Sequence, residues 1–431
     1  MQNSAAIDMD RQPVRKKRKK SLTGYSVAVF LLFIISMYHW IGWNGRAPLF
    51  YVLSVIVMLC SIKKEHVVMD FSKRKVIPCL VLYISHLIVN LNWHGDILAT
   101  AIYTNTLTVL FPLMLMVCIS SSDKRIVQEN VSRWFSWLLI PALFIYALTL
   151  FIDLPSLGIT RFSSSETFSN PTYGIDNNYF FLMTPTGSDG FSRFRGPFLE
   201  PGHLGMMSAL LLFINRHDYK KRYNVVALIS LILSFSLAGY VLWVIGFFMI
   251  RYAQNRIKLK TLLLYSTVLG VIFAFSQLYN GGDNILNEMI FSRLEYDEDT
   301  GFSGNNRSGV RTALLYANMI GNPKLMLHGY SASELAYLDG EAANGLKYLI
   351  IRKGLIGMLL CLAYYICLLF ISKNKKIAVL SFIFIFLMFV QRTYSFWFSW
   401  IMCYDYMIDI PFYARIRKKK LKHRLKRVCV Q

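Results

Sequence analysis

Two arginines and a carboxylate lie close together in the stretch RFRGPFLEPGHLG, residues 193–205. Arg193 and Arg195 are suited to binding phosphate, because a guanidinium stays charged and can donate two parallel hydrogen bonds. Glu200 is suited to act as a general base toward a hydroxyl group, and His203 lies at the start of the apolar segment that follows. We predict a catalytic Glu200 beside substrate-binding Arg193, Arg195 and His203. The alternative is a salt-bridged helix entry whose shape is fixed by prolines.

A second pair of arginines lies in NNRSGVR, residues 305–311. Their spacing places Arg307 and Arg311 on one face of the segment if it is helical. Two guanidinium groups on one face would neutralise a pyrophosphate, so we predict that both residues are catalytic. The alternative is a solvated loop that balances the acidic run at 295–299.

A third group surrounds the start of a later apolar segment. The sequence LMLHGY predicts a turn at His328 and Tyr330, Asn344 lies just before the apolar segment, and Arg352 lies inside it. Arg352 either extends to the lipid headgroups or faces an anionic lipid substrate within the protein. We predict that these four residues contact substrate, although a single histidine such as His328 is often purely structural.

The elements that position these residues follow from composition. The chain has 431 residues, of which 55% are hydrophobic and only 16% are charged. A soluble protein usually carries about 25% charged residues, so this chain has too little charge to cover soluble domains. We therefore predict an all-α polytopic membrane protein with about twelve transmembrane helices and two large outer loops that carry short amphipathic helices.

The apolar segments 224–250 and 377–412 are too long for one span, and basic residues flank both ends of each. A hairpin that turns near residues 236–239, and another that turns at Gln391 and Arg392, keep all of these charges on one side, as the positive-inside bias favours. The predicted organisation is a basic tail at 1–22, transmembrane helices at 23–152, a large loop at 153–201, transmembrane helices at 202–278, a second large loop at 279–346, transmembrane helices at 347–412 and a basic tail at 413–431. The candidate spans include 23–42, 132–152 and 261–279.

The net charge of +23 fits either nucleic-acid binding or membrane topology. The predicted cytoplasmic segments hold 35 of the 47 basic residues, whereas the two large loops with Lys347 hold 14 acidic and 8 basic residues. The positive charge is thus spread over many short loops, which argues against nucleic acid as a partner and predicts that both termini are cytoplasmic. The basic C-terminal run either contacts anionic membrane lipids or only anchors the topology. The first apolar run is too long for a cleaved signal peptide.

Several other classes of protein lack support in the sequence. The seven cysteines form no CxxC pair, so no metal or redox motif is predicted. No Walker loop, GxGxxG or HExxH motif occurs, and we expect neither a cofactor nor a metal. No predicted span carries a series of acidic residues, which argues against an ion-coupled pump.

With these motifs in place, the chain resembles the O-antigen polymerase and O-antigen ligase superfamily of bacterial surface-polysaccharide assembly. RFRGPFLEPGHLG resembles the R-x-x-G-x-F-x-x-P element of that family, and SLAGY at 236–240 resembles the turn of its short hairpin. The segment from Arg307 through HGY to NGLKYLIIRKGLIG resembles its second outer loop and the span that follows. The resemblance covers about residues 150–370.

The resemblance implies metal-independent glycosyl transfer at the outer face of the bacterial cytoplasmic (inner) membrane, with an oligosaccharide on undecaprenyl pyrophosphate as donor. The ligases have a histidine before the asparagine of the third group, whereas Ala343 precedes Asn344 here. We therefore expect a polymerase of lipid-linked repeat units for O-antigen, capsule or exopolysaccharide. An O-antigen ligase and a flippase or transporter are the alternatives. The expected partners are the lipid-linked oligosaccharide, membrane lipids, and the chain-length regulator and flippase of the same pathway.

Overall fold

The computed structural model describes residues 21–90, 98–152, 154, 162–163, 175–185, 192–254, 310–331 and 345–410, with isolated positions at 267, 271, 279, 284, 296–297, 301–302 and 335. The predicted span at 261–279 and both basic tails lie almost entirely outside the described residues. Helices dominate the described chain. Their bounds are α1 Thr23–Ser36, α2 Ala47–Lys64, α3 Lys73–Asn90, α4 Leu98–Asn105, α5 Phe111–Val117, α6 Ser121–Thr149, α7 Pro201–Ile214, α8 Arg222–Leu233, α9 Leu237–Ala253, α10 Val310–Ile320, α11 Pro323–His328, α12 Leu346–Ile371, α13 Lys375–Gln391 and α14 Phe398–Asp409.

Two helices form the centre of the bundle. Every residue of α7 from His203 to Ile214 is buried, as is every residue of α14 from Phe398 to Met407. A helix that is apolar on all sides must be surrounded by other helices or by lipid, and here other helices surround it. The residues just before these two helices therefore lie at the middle of one end of the bundle.

Both predicted hairpins are present. Helix α8 ends at Leu233 and α9 begins at Leu237, with Ser236 accepting a hydrogen bond from the amide of Gly239. The turn at 234–236 is two to three residues earlier than the predicted 236–239, and Phe235 within it adopts a left-handed conformation with φ of 44°. Gly239 allows α9 to approach α7, since a Cβ there would lie 2.9 Å from the Gly205 carbonyl carbon. Small residues permit such close contact between apolar helices.

One end of the bundle carries the turns at 37–46, 192–200, 234–236 and 392–397, and we call it the site end. At the opposite end, a network of ion pairs joins α3, α6 and α14. The Nζ atom of Lys124 lies 2.6 Å from Asp405 and 2.9 Å from Asp409, and Lys75 lies 3.3 Å from Asp409 and 2.9 Å from Asp70. The Lys124 side chain is fully buried, so its charge requires these partners.

Helix α6 differs from the prediction at its start. The sequence predicts this span at 132–152, but the helix begins at Ser121, where Ser120 accepts a hydrogen bond from the Asp123 amide. The polar first turns are helical because they bind other elements: Asp123 accepts a hydrogen bond from the Val68 amide, and Lys124 pairs with α14. Helix α1 is shorter than its predicted span of 23–42, since it ends at Ser36 before a turn with Tyr38 at φ of 56°.

The two large segments differ in structure. The described residues of 153–201 form an antiparallel sheet of β1 Phe162–Ser163, β2 Ile175–Asn178 and β3 Met183–Pro185. The rest of this segment lies outside the described residues, so the amphipathic helices expected there stay a prediction. The Ser, Thr, Asn and aromatic residues of this segment favour strands and turns over helices. The second segment contains a two-stranded ladder of β4 Tyr296–Asp297 and β5 Gly301–Phe302, and then the short helices α10 and α11, as predicted.

Among the described residues, α2, α6 and α12 are long and apolar enough to cross a membrane. Helices α1, α7, α8 and α9 and the run Ile102–Val117 are shorter apolar helices. The fold is thus helical and has the character of a membrane protein.

Candidate active site

Glu200 lies at the site end, immediately before the first turn of α7. Its backbone is extended, its side chain forms no capping hydrogen bond, and Pro201 occupies the first helical position. The carboxylate forms an ion pair with Arg392. The Arg392 side chain is 6% exposed and that of Glu200 is 19% exposed, so this charge pair is largely shielded from water and correspondingly strong.

Arg392 reaches this position from the turn between α13 and α14. One guanidinium nitrogen, Nη1, lies 3.0 Å from Nε2 of His203 and 3.2 Å from the Tyr394 hydroxyl. A guanidinium has only hydrogens to donate, so His203 Nε2 must accept, and the ring of His203 is neutral with its proton on Nδ1. Gly202 leaves room for the guanidinium, since a Cβ there would lie 3.1 Å from Arg392 Nη2.

The charge of this group is fixed by its surroundings. Burial alone would lower the pKa of Arg392, but the adjacent charge of Glu200, with Tyr394, raises it above its ordinary value. Arg392 is therefore a permanent cation that keeps the Glu200 carboxylate close to it. An ionised carboxylate accepts hydrogen bonds from sugar or water hydroxyls, and a guanidinium can bind phosphate.

Aromatic rings enclose the cluster. The Tyr394 ring stacks on Trp397 with centroids 4.2 Å apart, and the His203 ring lies 5.1 Å from Trp397 and 5.7 Å from Tyr38. These rings hold His203 and Arg392 in one position. We name the group formed by Glu200, His203, Arg392 and Tyr394 the Glu200 cluster.

Arg193 and Arg195 face other parts of the protein. Arg193 donates to the carbonyls of Ser234 and Phe235, at distances of 3.0 and 2.6 Å, and so binds the α8–α9 turn. Arg195 is buried, pairs with Asp176 of β2, and donates to Met183 and Leu199 carbonyls at 2.9 and 2.7 Å. These contacts fix the strands and turns around Glu200. The phosphate contact of the two arginines stays a prediction.

The third predicted group assembles around a break in α12. Gly354 has φ of 63° and ψ of −175°, a conformation that only glycine adopts readily. A Cβ at Gly354 would lie 2.1 Å from the Leu327 carbonyl oxygen, and the Tyr330 amide donates to the Ile351 carbonyl at 2.8 Å. The end of α11 therefore packs backbone against backbone on the broken helix.

His328 and Arg352 both lie at this contact and are exposed, and the Arg352 guanidinium lies 5.5 Å from the centre of the Tyr348 ring. The Tyr330 hydroxyl donates to the Leu315 carbonyl of α10 at 3.2 Å. Arg311 lies in the first turn of α10, which begins at Val310. Arg307 and Asn344 lie outside the described residues.

The third predicted group comes near the Glu200 cluster where α12 begins. A Cβ on Gly345, the residue before α12, would lie 4.0 Å from the carbonyl oxygen of Gln391, which is the neighbour of Arg392. The hydroxyl of Tyr365 in α12 also donates to the Ser395 carbonyl at 2.6 Å. The start of α12 thus lies beside the neighbour of Arg392, and a later part of α12 is bonded to the turn that carries Arg392.

The structure brings Glu200 and His203 together through Arg392. The sequence prediction did not include Arg392 or the rings of Tyr394, Trp397 and Tyr38 in the site. A signal for Arg392 existed: it is an arginine at a predicted outer turn, where the positive-inside bias makes basic residues scarce. No sequence signal pointed to the aromatic rings, because such rings are common throughout apolar segments.

Among the described residues, no group of three or more His, Cys, Asp and Glu side chains is placed to hold a metal ion. Comparison with known proteins finds no matching family profile, no similar curated protein and no similar solved structure.

Proposed function

We propose that this chain is a polymerase of lipid-linked oligosaccharide repeat units, with about twelve transmembrane helices. It transfers the growing glycan from undecaprenyl pyrophosphate to the next lipid-linked unit at the outer face of the bacterial inner membrane. The observation that carries the proposal is the Glu200 cluster, which pairs an acceptor for a hydroxyl group with a permanent cation for phosphate. The sequence motifs that flank it support the same reaction.

The distribution of charge supports the orientation. Runs of basic residues at 63–64, 73–75, 124–125, 220–222 and 373–376 flank helices at the opposite end of the bundle. Basic segments stay in the cytoplasm, which puts the site end, and with it the Glu200 cluster, on the outer face. Both termini are then cytoplasmic.

In the reaction, the bond between the anomeric carbon of the donor sugar and the pyrophosphate oxygen breaks. A bond forms between that carbon and the acceptor hydroxyl oxygen, and the hydroxyl proton passes to a base. Arg392 binds the departing pyrophosphate, whose charge weakens the hold of Arg392 on Glu200. Glu200 then becomes basic enough to accept the proton. Binding of the donor thus activates the base, which limits proton removal to occupied sites.

The test is reconstitution of the purified protein in liposomes with a lipid-pyrophosphate-linked repeat unit. We expect wild-type protein to form long chains, and the E200Q and R392K variants to form none. Glu129→Gln is the matched control, because Glu129 pairs with Lys221 at 3.3 Å at the opposite end. Arg307→Ala and Arg311→Ala should also abolish long chains with normal protein levels. Long chains from E200Q would contradict the role of Glu200.

A deletion strain separates the polymerase from its alternatives. Loss of a polymerase leaves single repeat units on the final acceptor, whereas loss of a ligase leaves polymer on the carrier lipid. Loss of a flippase leaves unpolymerised units at the cytoplasmic face. We expect the first outcome, and either of the others would replace the proposal.

A further inference from the structure

A cavity of about 400 Å³ opens at the site end next to the Glu200 cluster. Its wall comes from the end of α1, the turn that follows, the start of α2, the last turns of α3 and the residues around the start of α14. The lining side chains that matter most are Tyr38, His39, Trp43, Tyr51, His86 and Trp397. The volume lies at the lower end of the range of small-molecule sites in proteins.

The cavity and the Glu200 cluster share a wall. Tyr38 and Trp397 line the cavity, and both rings also pack on His203, at centroid distances of 5.7 and 5.1 Å. Tyr38 meets Trp397 edge to face, 5.4 Å away. A molecule in the cavity would thus be one aromatic ring away from the residues proposed to do the chemistry.

Two imidazoles give the cavity hydrogen-bonding capacity. His39 Nδ1 accepts from the Ile41 amide at 3.3 Å, which places the proton of the neutral ring on Nε2. His86 Nδ1 is buried, and no hydrogen-bond partner for it occurs among the residues described. Buried ring nitrogens in native proteins almost always have a partner, so an unsatisfied one in a cavity wall points to a ligand that supplies it.

The flat walls of the cavity are held rigidly. Trp43 donates its indole hydrogen to the Tyr38 carbonyl at 3.0 Å, and Trp397 stacks on Tyr394 at 4.2 Å. Phe396 packs edge to face on His86, with centroids 4.9 Å apart. The faces of aromatic rings carry partial negative charge and attract the polarised C–H groups of a sugar. Rigid walls also reduce the entropy lost on binding.

We propose that this cavity binds a sugar ring of the acceptor repeat unit, an assignment that rests on the proposed polymerase function. A pyranose offers C–H faces for the aromatic walls and hydroxyl groups for His39 and His86. An isoprenoid chain fits the walls but leaves the His86 nitrogen without a partner. A sugar held here places the repeat unit beside Glu200, so the cavity selects which unit is added.

The experiment is saturation-transfer NMR of the full-length protein in lipid nanodiscs with free monosaccharides. The panel contains hexoses, 6-deoxyhexoses, N-acetylhexosamines and hexuronic acids, with farnesol as the isoprenoid. We expect at least one sugar class to bind the wild type. His86→Phe keeps a ring of similar size but has no nitrogen, and it should weaken that binding about tenfold.

Ala47→Leu narrows the cavity from the α2 side and should reduce binding independently of His86. Ile84→Phe is the matched control, because it adds the same ring to α3 at a position that is 53% exposed and faces away from the cavity. It should bind sugar as the wild type does. A folded A47L protein keeps the test decisive if H86F does not fold.

The assignment would be overturned if no sugar binds the wild type, or if H86F and A47L both bind sugar as strongly as the wild type does. Binding of farnesol that depends on His86 would also overturn it in favour of an isoprenoid site. The proposed function is judged separately by chain elongation. If sugar binding depends on His86 but the purified protein elongates no chains, the sugar site is supported and the proposed polymerase function is rejected.

Discussion

The pair formed by Glu200 and Arg392 should hold the start of α7 to the turn between α13 and α14. Replacing Arg392 with methionine removes the ion pair and the hydrogen bonds to His203 and Tyr394. Removing one partner of a buried pair costs about 3–5 kcal/mol. Because 19% of the Glu200 side chain is exposed and water can reach it, we expect the lower end, about 3 kcal/mol.

Glu200→Gln should cost less, about 1–2 kcal/mol, because glutamine keeps an oxygen that accepts from Arg392. The double variant should be only slightly less stable than Arg392→Met, since each change removes the same interaction. The coupling energy between the two positions is then about 1–2 kcal/mol.

The assay is unfolding of the purified variants by SDS in mixed micelles, followed by tryptophan fluorescence. Arg222→Met is the control, because Arg222 is exposed at the opposite end, and it should change the unfolding free energy by less than about 0.5 kcal/mol. Additive effects of the two single variants, without coupling, would refute the conclusion that this pair joins the two elements.

Three further predictions concern other parts of the fold. Gly354→Ala should destabilise the protein by at least about 2 kcal/mol, because the backbone conformation is strained for alanine and the new Cβ would overlap the Leu327 carbonyl oxygen. Gly321→Ala is the control in the same SDS titration. It should be neutral, because its Cβ would have only an ordinary contact at 3.8 Å. Lys124→Met should cost about 3–5 kcal/mol, and adding Asp405→Asn should restore part of it; no recovery would mean that the two are not paired. Burial lowers the pKa of His39 to about 3. The stability that its neutral ring contributes is therefore complete above the unfolded pKa of about 6.5 and declines as pH falls toward 3. The H39N variant should show a flatter dependence of thermal stability on pH in this window, and an unchanged dependence would contradict the conclusion that His39 is buried as a neutral ring.

The sequence was sufficient for features that depend on neighbouring residues. The entry to α7 at Glu200 followed from Pro201 and the apolar run behind it, and the hairpin at Gln391 followed from basic residues at both ends of one segment. The helical α10 and α11 were also predictable from their local patterns. In each case the signal lies within about 20 residues of the element.

Features that depend on distant pairing could not be predicted in this way. The Arg392 side chain could have met any acidic residue of the outer loops, and nothing local singles out Glu200. The polar first turns of α6 looked like a loop because their partners, Asp405 and Asp409, lie at the other end of the chain. The ion pair of Arg195 could not be predicted either, because its partner, Asp176, lies in a strand that the composition did not reveal.

The ion pair of Glu200 with Arg392 also has a consequence for biogenesis. The two residues are 192 positions apart, so at usual rates of synthesis the ribosome needs about 10–40 s to reach Arg392 after Glu200 has emerged. During this interval the nascent chain holds a carboxylate at the membrane boundary without its counter-ion. The interval between the synthesis of Lys124 and that of its partner Asp405 is longer still. The α13–α14 hairpin supplies both missing charges together, so the Glu200 cluster and the ion-pair network at the opposite end of the bundle are completed in a single late event of translation.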